Sequence, residues 1–450
     1  MPGRARLTRR FRLTSAALLA SVSLGAGAED LMQVFREAQG YDAVYAAARY
    51  NLEAGRERLP QGRALLLPTL NLSGNASRNR TEVDSRDPLI VPSTTRYPES
   101  AGYTLTLNQP LFRLQNWYQY RQADWQVRQA EAIFSQAYQD LVLRVAQAYF
   151  DVLAQQDNVA LVRAQKEATA EQLAQAKRNF EVGTATITDT HEAQARFDLI
   201  GAQEIAAANE LESKRRALQL LTGKEPTDLR PLRADLRLTP PNPPDMQAWV
   251  DLAEKQAYPV QIAEAAGEVA ALEARRASAA HWPTVDFVAT HGQTGQNATS
   301  DSLVGRDTTI TSLGVQLAMP LFQGGSLNSR ERETAALRER AREDLENARR
   351  NSVLTARQTY LAVSNGISLV SALEQALISS TSALDSNKLG YEVGVRINID
   401  VLNAQQQVFQ TRRDLLAARY TTINNSLRLK AAAGALREED LEEVNRALAP

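Results

Sequence analysis

The sequence predicts a mostly α-helical chain with a β-barrel part: four amphipathic transmembrane strands and long coiled-coil helices. Three observations predict it. From about Asn116 to Phe180 there is neither proline nor glycine, and only Gly366 and Gly390 interrupt Ser326 to Tyr391. At 1.5 Å per residue, about 65 residues make a rod of roughly 100 Å, too long to fold inside a globule. Four short segments alternate polar and apolar residues with the period of two that marks a strand between unlike environments. The whole plan is also written twice.

Four markers recur in the same order. NQPLF (Asn108 to Phe112) returns as AMPLF (Ala318 to Phe322), and RVAQAYFDVL (Arg144 to Leu153) as TARQTYLAVS (Thr355 to Ser364), which aligns Tyr149 with Tyr360. FEVGTATITD (Phe180 to Asp189) is answered 211 residues on by YEVGVRINID (Tyr391 to Asp400). LQLLTGKEP (Leu218 to Pro226) aligns with LRLKAAAGA (Leu427 to Ala435). The expected organisation is a leader over 1–28, a first unit over 29–239, a Pro-rich strap over 240–257, a second unit over 258–436 and a tail over 437–450.

Each unit opens with a helical stretch that ends at a proline: Leu31 to about Leu67 before Pro68, and Val260 to about His281 before Pro283. Strands follow. TLNLSGN sets Leu70 and Leu72 against Asn71 and Ser73, and AGYTLTLNQP sets Tyr103, Leu105 and Leu107 against Thr104, Thr106 and Asn108. The second unit offers Val285, Phe287 and Ala289, then Leu313, Val315, Leu317 and Met319 opposite Ser312, Gly314 and Gln316. The rods come next. Phe134, Tyr138, Leu141, Val145, Ala148 and Val152 are spaced alternately by four and three, and Val353, Ala356, Tyr360, Val363, Ile367 and Val370 repeat the rhythm, the seam of a coiled coil. The many alanines let neighbouring helices approach closely. Gly183 and Gly394 suit the left-handed step past a helix C-terminus, after which helices return from about Asp189 to Leu221 and from Asp400 to Ala433. Between the units, LTPPNPPDMQAW (Leu238 to Trp249) reads as an irregular strap.

The N-terminus has a different character. Arg4, Arg6, Arg9, Arg10 and Arg12 precede an apolar core, Leu13 to Leu24, and Ala26-Gly-Ala28 supplies small residues for cleavage after Ala28. This is the pattern of a secretory signal, too short for a membrane helix. Removing its five arginines takes the net charge from −1 to −6. There is no cysteine, which excludes an N-terminal lipid anchor, disulfides and thiolate metal sites. His191, His281 and His291 stand in unrelated contexts, and no apolar run approaches the roughly 20 residues of a spanning helix. No glycine-rich phosphate loop or nucleophile constellation is present. No enzyme and no cofactor is expected.

In hydrocarbon, strands survive only in a closed sheet. One chain's four strands do not close around a lumen; two chains give eight, which side chains fill, and three give twelve, which leave a channel. Closure argues for three copies, although strand counting alone leaves four open.

The duplicated plan, the paired Pro-Leu-Phe motifs at Pro110 and Pro320, and the turns at Val182-Gly183 and Val393-Gly394 together resemble the TolC family of trimeric outer-membrane channel-tunnels, over about Glu29 to Leu436. The resemblance implies a homotrimer with a twelve-strand barrel above a twelve-helix periplasmic tunnel. An equatorial belt is implied around the tunnel, formed by the strap near Pro226 to Trp249 and the C-terminal segment. The implied function is the outer-membrane exit duct of a tripartite export machine, for type I secretion or drug efflux. Its implied partners are a periplasmic adaptor, an inner-membrane ABC or RND transporter and outer-membrane lipid, with no nucleic acid. A coiled-coil envelope tether without a pore is the alternative reading.

Residue by residue, the resemblance assigns gate links to Thr188 and Asp189 on one hairpin and to Tyr391 and Arg396 on the other. It puts an aspartate ring at the pore constriction at Asp400. A second ring falls at Asn403, where this sequence lacks the acid. Val182, Gly183, Val393 and Gly394 are the expected adaptor contacts. Read locally, Asp189 is also an N-cap, with Asp189-Thr190-His191-Glu192 as a capping box worth about 1 kcal/mol. The polar loops Asn79 to Pro98 and Thr294 to Asp307 are expected outside the cell.

Overall fold

A computed structural model describes residues 28–449 apart from 87–92, 227, 234 and 298–303. The leader up to residue 27 therefore lies outside the described residues. At its boundary, the Ala28 carbonyl accepts a hydrogen bond from Arg230 Nε at 3.1 Å.

Three short helices open the chain: α1 (Leu31–Tyr41), α2 (Ala43–Arg56) and α3 (Arg58–Ala64). The single stretch expected here is broken at Asp42, and the cause is a buried charge. Asp42 accepts from the backbone N–H of Val44 and Tyr45, which caps α2, while Arg144 grips the same carboxylate at 2.5 and 3.3 Å. Burial acts to raise the Asp42 pKa, but the hydrogen bonds and charge of Arg144 outweigh it and hold the group below its ordinary value.

Strand β1 (Thr69–Arg78) follows, then a small ladder of β2 (Thr81–Val83) with β3 (Thr94–Arg96), then β4 (Glu99–Phe112). Rod α4 (Leu114–Glu181) and its return α5 (Ile187–Thr222) complete the first unit. After the strap come α6 (Met246–Gln256), α7 (Tyr258–Ser278), β5 (Thr284–Gln296), β6 (Arg306–Ala318), α8 (Ser326–Glu392), α9 (Asn398–Ala432) and α10 (Glu438–Asn445). Two expectations change. The strap is irregular only as far as Asp245, whose side chain accepts from Gln247 N–H and starts α6. The second outer loop is shorter, because Thr294 and Asp307 pair with Thr308 and Gly295 inside the ladder.

The four long strands form one antiparallel sheet in the order β1-β4-β5-β6. Its register lines up the apolar residues row by row. Leu70 stands opposite Leu107, Leu107 opposite Ala289 and Ala289 opposite Leu313; lower down, Phe287 stands opposite Val315 and Val285 opposite Leu317. Because side chains alternate between faces, all of these lie on one face, and Ser73, Thr104, Thr106, Thr290 and Ser312 lie on the other. Leu70, Leu72, Leu313, Val315 and Leu317 are exposed. At the helix end of the sheet, Arg113 makes a bidentate ion pair with Asp286, Nε to Oδ1 at 2.8 Å and Nη2 to Oδ2 at 2.6 Å. Asp286 is 7% exposed.

Rods α4 and α8, of 68 and 67 residues, each extend about 100 Å from the sheet to a turn. Near the sheet, α2, α3 and α7 pack against them; towards the turns, α5 lies along α4 and α9 along α8. The main apolar core lies at mid-length. Leu141, Val145, Tyr149, Phe150 and Val152 of α4 meet Leu31 and Phe35 of α1, Leu427 of α9 and Leu441 of α10, all buried. Leu229 pairs with Glu29 and Leu232 with Leu448 in isolated bridges, so the chain start, the segment after Pro226 and the C-terminal helix wrap the rods together. Trp249 Nε1 donates to the Pro243 carbonyl at 2.8 Å, and Tyr360 OH donates to that of Pro244, which ties the strap to α8.

The expected seam is buried in part: Leu141, Val145, Val152, Ala356, Val363 and Val370 are buried, and Phe134, Tyr138, Ala148, Tyr360 and Ile367 pack at their edge. The absence of any span-like apolar run needs correction on α8. An 18-residue window there reaches a mean hydropathy of 1.4, with 11% of it buried. Leu354, Leu361, Leu369 and Ile378 along this helix are exposed. Leu354, Leu361 and Leu369 fall within about 80° on one side of the helix, an apolar face that has no cover within one chain.

Candidate functional site

The two hairpin turns are built on one backbone plan. In the first, Val182 N–H donates to Arg178 O, Gly183 to Phe180 O, and Thr184 and Ala185 both to Asn179 O. In the second, Val393 donates to Leu389 O, Gly394 to Tyr391 O, and Val395 and Arg396 both to Gly390 O. Every donor and acceptor is displaced by the same 211 residues. Gly183 and Gly394 have φ of +78° and +77°, a conformation that favours glycine because it carries no Cβ. A Cβ at either would meet nothing within 4 Å, so backbone conformation and not crowding selects the residue. Val182, Ile187, Val393, Val395 and Ile397 are all exposed around these turns.

The two acids differ in what holds them. Asp189 is not the N-cap read from the sequence but the third residue of α5; the N-cap is Thr186. Asp189 Oδ2 accepts from Thr186 N–H at 2.9 Å and from Thr186 Oγ1 at 2.7 Å, and Asp189 N–H donates back to Thr186 Oγ1 at 3.3 Å. This is a capping box one turn earlier than expected. Asp400 occupies the same step of α9, but there the N-cap is Ile397, which has no side-chain acceptor or donor. Its carboxylate faces Arg396, Nη1 to Oδ2 at 3.7 Å.

Tyr391 OH accepts from Asn179 Nδ2 at 3.1 Å, which joins the end of α8 to the end of α4. Thr188 is exposed at the start of α5. Among the described residues, no hydrogen bond or ion pair joins Thr188 or Asp189 to Tyr391 or Arg396 within one chain. Asn403 Oδ1 accepts from Arg196 Nη2 at 3.1 Å, and Gln406 Oε1 from Arg196 Nη1 at 2.5 Å. Asn398 Nδ2 reaches the Asp189 carbonyl at 3.4 Å. Leu173, Ala176, Ala193 and Leu402 pack beneath these links. Sequence reasoning missed Asn179 and Arg196, which lie outside the repeated hairpin motif, and Asn398, which lies inside it but replaces Ile187 of the first hairpin. The contrast between Thr186 and Ile397 was readable, and it alone separates a capping acid from one without a cap partner.

The family model described as "Outer membrane efflux protein" matches residues 37–224 and 249–435, one match per unit. The chain belongs to the outer membrane efflux protein family. It is 32% identical to outer membrane protein TolC of Vibrio cholerae, over 96% of this chain and 97% of that one. It is 33% identical to alkaline protease secretion protein AprF of Pseudomonas aeruginosa, over 90% of this chain and 84% of that one. The solved structure of outer membrane protein VceC from Vibrio cholerae superposes with a TM-score of 0.77 at 19% identity, covering 90% and 96%. The resemblance read from the Pro-Leu-Phe and Val-Gly motifs is thus borne out. As an outer membrane efflux protein, the chain resides in the outer membrane, with its helical part in the periplasm.

Proposed function

We propose that three copies of this chain close a twelve-strand barrel over a twelve-helix tunnel and form the exit duct of a tripartite export machine. The observation that carries the reading is the sheet. Its apolar rows share one face, and among the described residues β1 and β6 are each paired along one side only. Unpaired backbone amides are costly in hydrocarbon, so such a sheet persists there only by closing on further copies. Trp282, Phe112 and Phe322 are exposed at its helix end, the position of an interfacial aromatic girdle. The uncovered apolar face of α8 gives the same copies a helical contact. A tether would need neither the two-faced sheet nor its open edges.

The turns are the proposed inner mouth. Asp400 is the ring that lines it, Asn403 replaces a second ring, and cation block is correspondingly weak. Thr188, Asp189, Tyr391 and Arg396 are proposed as gate links, made between copies. Val182, Gly183, Val393 and Gly394, flanked by exposed apolar residues, are the proposed seat of a periplasmic adaptor that couples the duct to an inner-membrane ABC or RND transporter. The relative AprF is an alkaline protease secretion protein, which favours protein export for this duct. No catalytic step is assigned to it.

Exposed ion pairs contribute about 0 to 1 kcal/mol each, so a gate built of a few such links repeated three times is held by only a few kcal/mol. Purified protein in a planar bilayer is expected to conduct in discrete steps. The double variant Tyr391→Phe, Arg396→Ser is expected to raise the single-channel conductance. No conductance at all would favour the tether, and an unchanged value in the variant would remove the gate assignment.

A further inference from the structure

The duplicated halves are not equally finished at the boundary between sheet and helices. Pro110-Leu-Phe112 and Pro320-Leu-Phe322 are the same motif, 210 residues apart. The first lies inside the ladder: β4 continues to Phe112, with Pro110 opposite Asp286 and Phe112 opposite Val285. The second lies outside it, because β6 stops at Ala318, the counterpart of Asn108. Leu321 and Phe322 are 89% and 86% exposed, against 57% and 42% for Leu111 and Phe112. One motif has a neighbouring strand and its copy has none.

The missing neighbour is identified by the repeat. Strand β5 opens with Pro283-Thr284-Val285-Asp286 and β1 with Pro68-Thr69-Leu70-Asn71, so β1 is the counterpart of β5, displaced by 215 residues. Among the described residues of one chain, β1 pairs with β4 alone. The strand that fits beside β6 is therefore β1 of a second copy. Transferring the observed pairing of Asn108 with Val288 gives Ala318 opposite Ser73, and that of Leu107 with Ala289 gives Leu317 opposite Gly74. Parity agrees, because Leu317 and Gly74 both fall on the apolar face; a slip of one residue would turn that face inward.

The ion pair at this boundary has a counterpart as well. Arg113, next after Pro-Leu-Phe, binds Asp286; the corresponding residues are Gln323 and Asn71. We propose that β6 pairs with β1 of a second copy in the β4–β5 register, and that Gln323 and the partner copy's Asn71 form between copies the bond that Arg113 and Asp286 form within one. The substitution of amides for charges follows from when each joint is made. Arg113 and Asp286 neutralise each other as one chain folds. A joint made on assembly would have to strip water from any charge it carried, and a neutral amide pair avoids that desolvation. The ring at the base of the barrel then alternates charged and amide joints.

This proposal rests on the assembly proposed above, and its test separates the two. The chain has no cysteine, so introduced thiols are the only ones present. Full-length variants carrying Ala318→Cys with Ser73→Cys, with Thr69→Cys or with Ser77→Cys are oxidised and run on denaturing gels. The last two sit four residues off register, about 13 Å along the strand and beyond disulfide reach. The Ser73 pair is expected to yield covalent trimers at about ten times the level of either control, because only it meets disulfide geometry. A trimeric native mass with crosslinking dominated by another pair, or with none, overturns the register but leaves the trimer. A monomeric native mass overturns the assembly itself. As a second readout, Gln323→Arg is expected to lower the heating midpoint of the trimer band, and adding Asn71→Asp to restore it. Equal midpoints in the single and double variants overturn the Gln323–Asn71 joint.

Discussion

Asp42 shows how one side chain fixes both a helix break and a long-range brace. Its carboxylate caps α2 and receives Arg144 from α4, with the acid buried and the arginine half-buried. Asn is also a good N-cap, so Asp42→Asn keeps the cap and removes the charge. It removes the charge that faces Arg144, and because that side chain is 36% exposed the change costs about 1–3 kcal/mol. The pH dependence has a definite sign. The folded carboxylate titrates below its ordinary 3.8, so the stabilisation is fully present above that value and is lost as pH falls through the folded pKa. The wild type is therefore expected to lose stability more steeply than Asp42→Asn below about pH 3.8 in denaturant titrations of the purified protein. Parallel acid limbs would show that the pair carries no such linkage.

Among the elements, α8 and α9 approach tightly where Gly366 meets Thr422. A Cβ on Gly366 would overlap the Thr422 hydroxyl, which is itself held by donating to the Ala418 carbonyl at 2.7 Å. This explains why a glycine that weakens helix propensity by about 1 kcal/mol sits inside a continuous rod. Gly366→Val is expected to destabilise by about 1–3 kcal/mol through overpacking. Gly366→Ala combined with Thr422→Ala is expected to recover most of the loss, because space and propensity then both favour the helix. Thermal melts of the two variants decide it; a double variant as unstable as Gly366→Val would place the strain elsewhere.

For the whole molecule, the two faces of the sheet set the expected response to charge. Leu313→Arg places a cation on the apolar face and is expected to cost about 2–4 kcal/mol near the bilayer midplane. Ser312→Arg, one residue away on the other face, is expected to assemble normally. Counting the proposed heat-modifiable trimer in membrane fractions reads both. Equal loss in the two variants would mean that neither face meets lipid.

The plan of the molecule is legible in its residues alone. Residue period, the two proline- and glycine-poor rods, the Pro-Leu-Phe pairs and the Val-Gly turns are local signals, and each survives because its physics is local: alternation makes strands, and glycine makes the left-handed step. Exact cap positions were less legible. Thr186 and not Asp189 begins α5, since a Thr three residues before an acid makes the reciprocal box, and the neighbouring residues resemble a cap equally well. Which polar groups meet depends on the folded chain. Asp42 with Arg144, Arg113 with Asp286, and Arg196 with Asn403 are separated by 102, 173 and 207 residues, and no spacing rule connects such partners. The sheet order made the same kind of decision. It brought β4 beside β5 and left β1 and β6 at the edges, because pairing needs a neighbour in space, which a single chain supplies along one side of each.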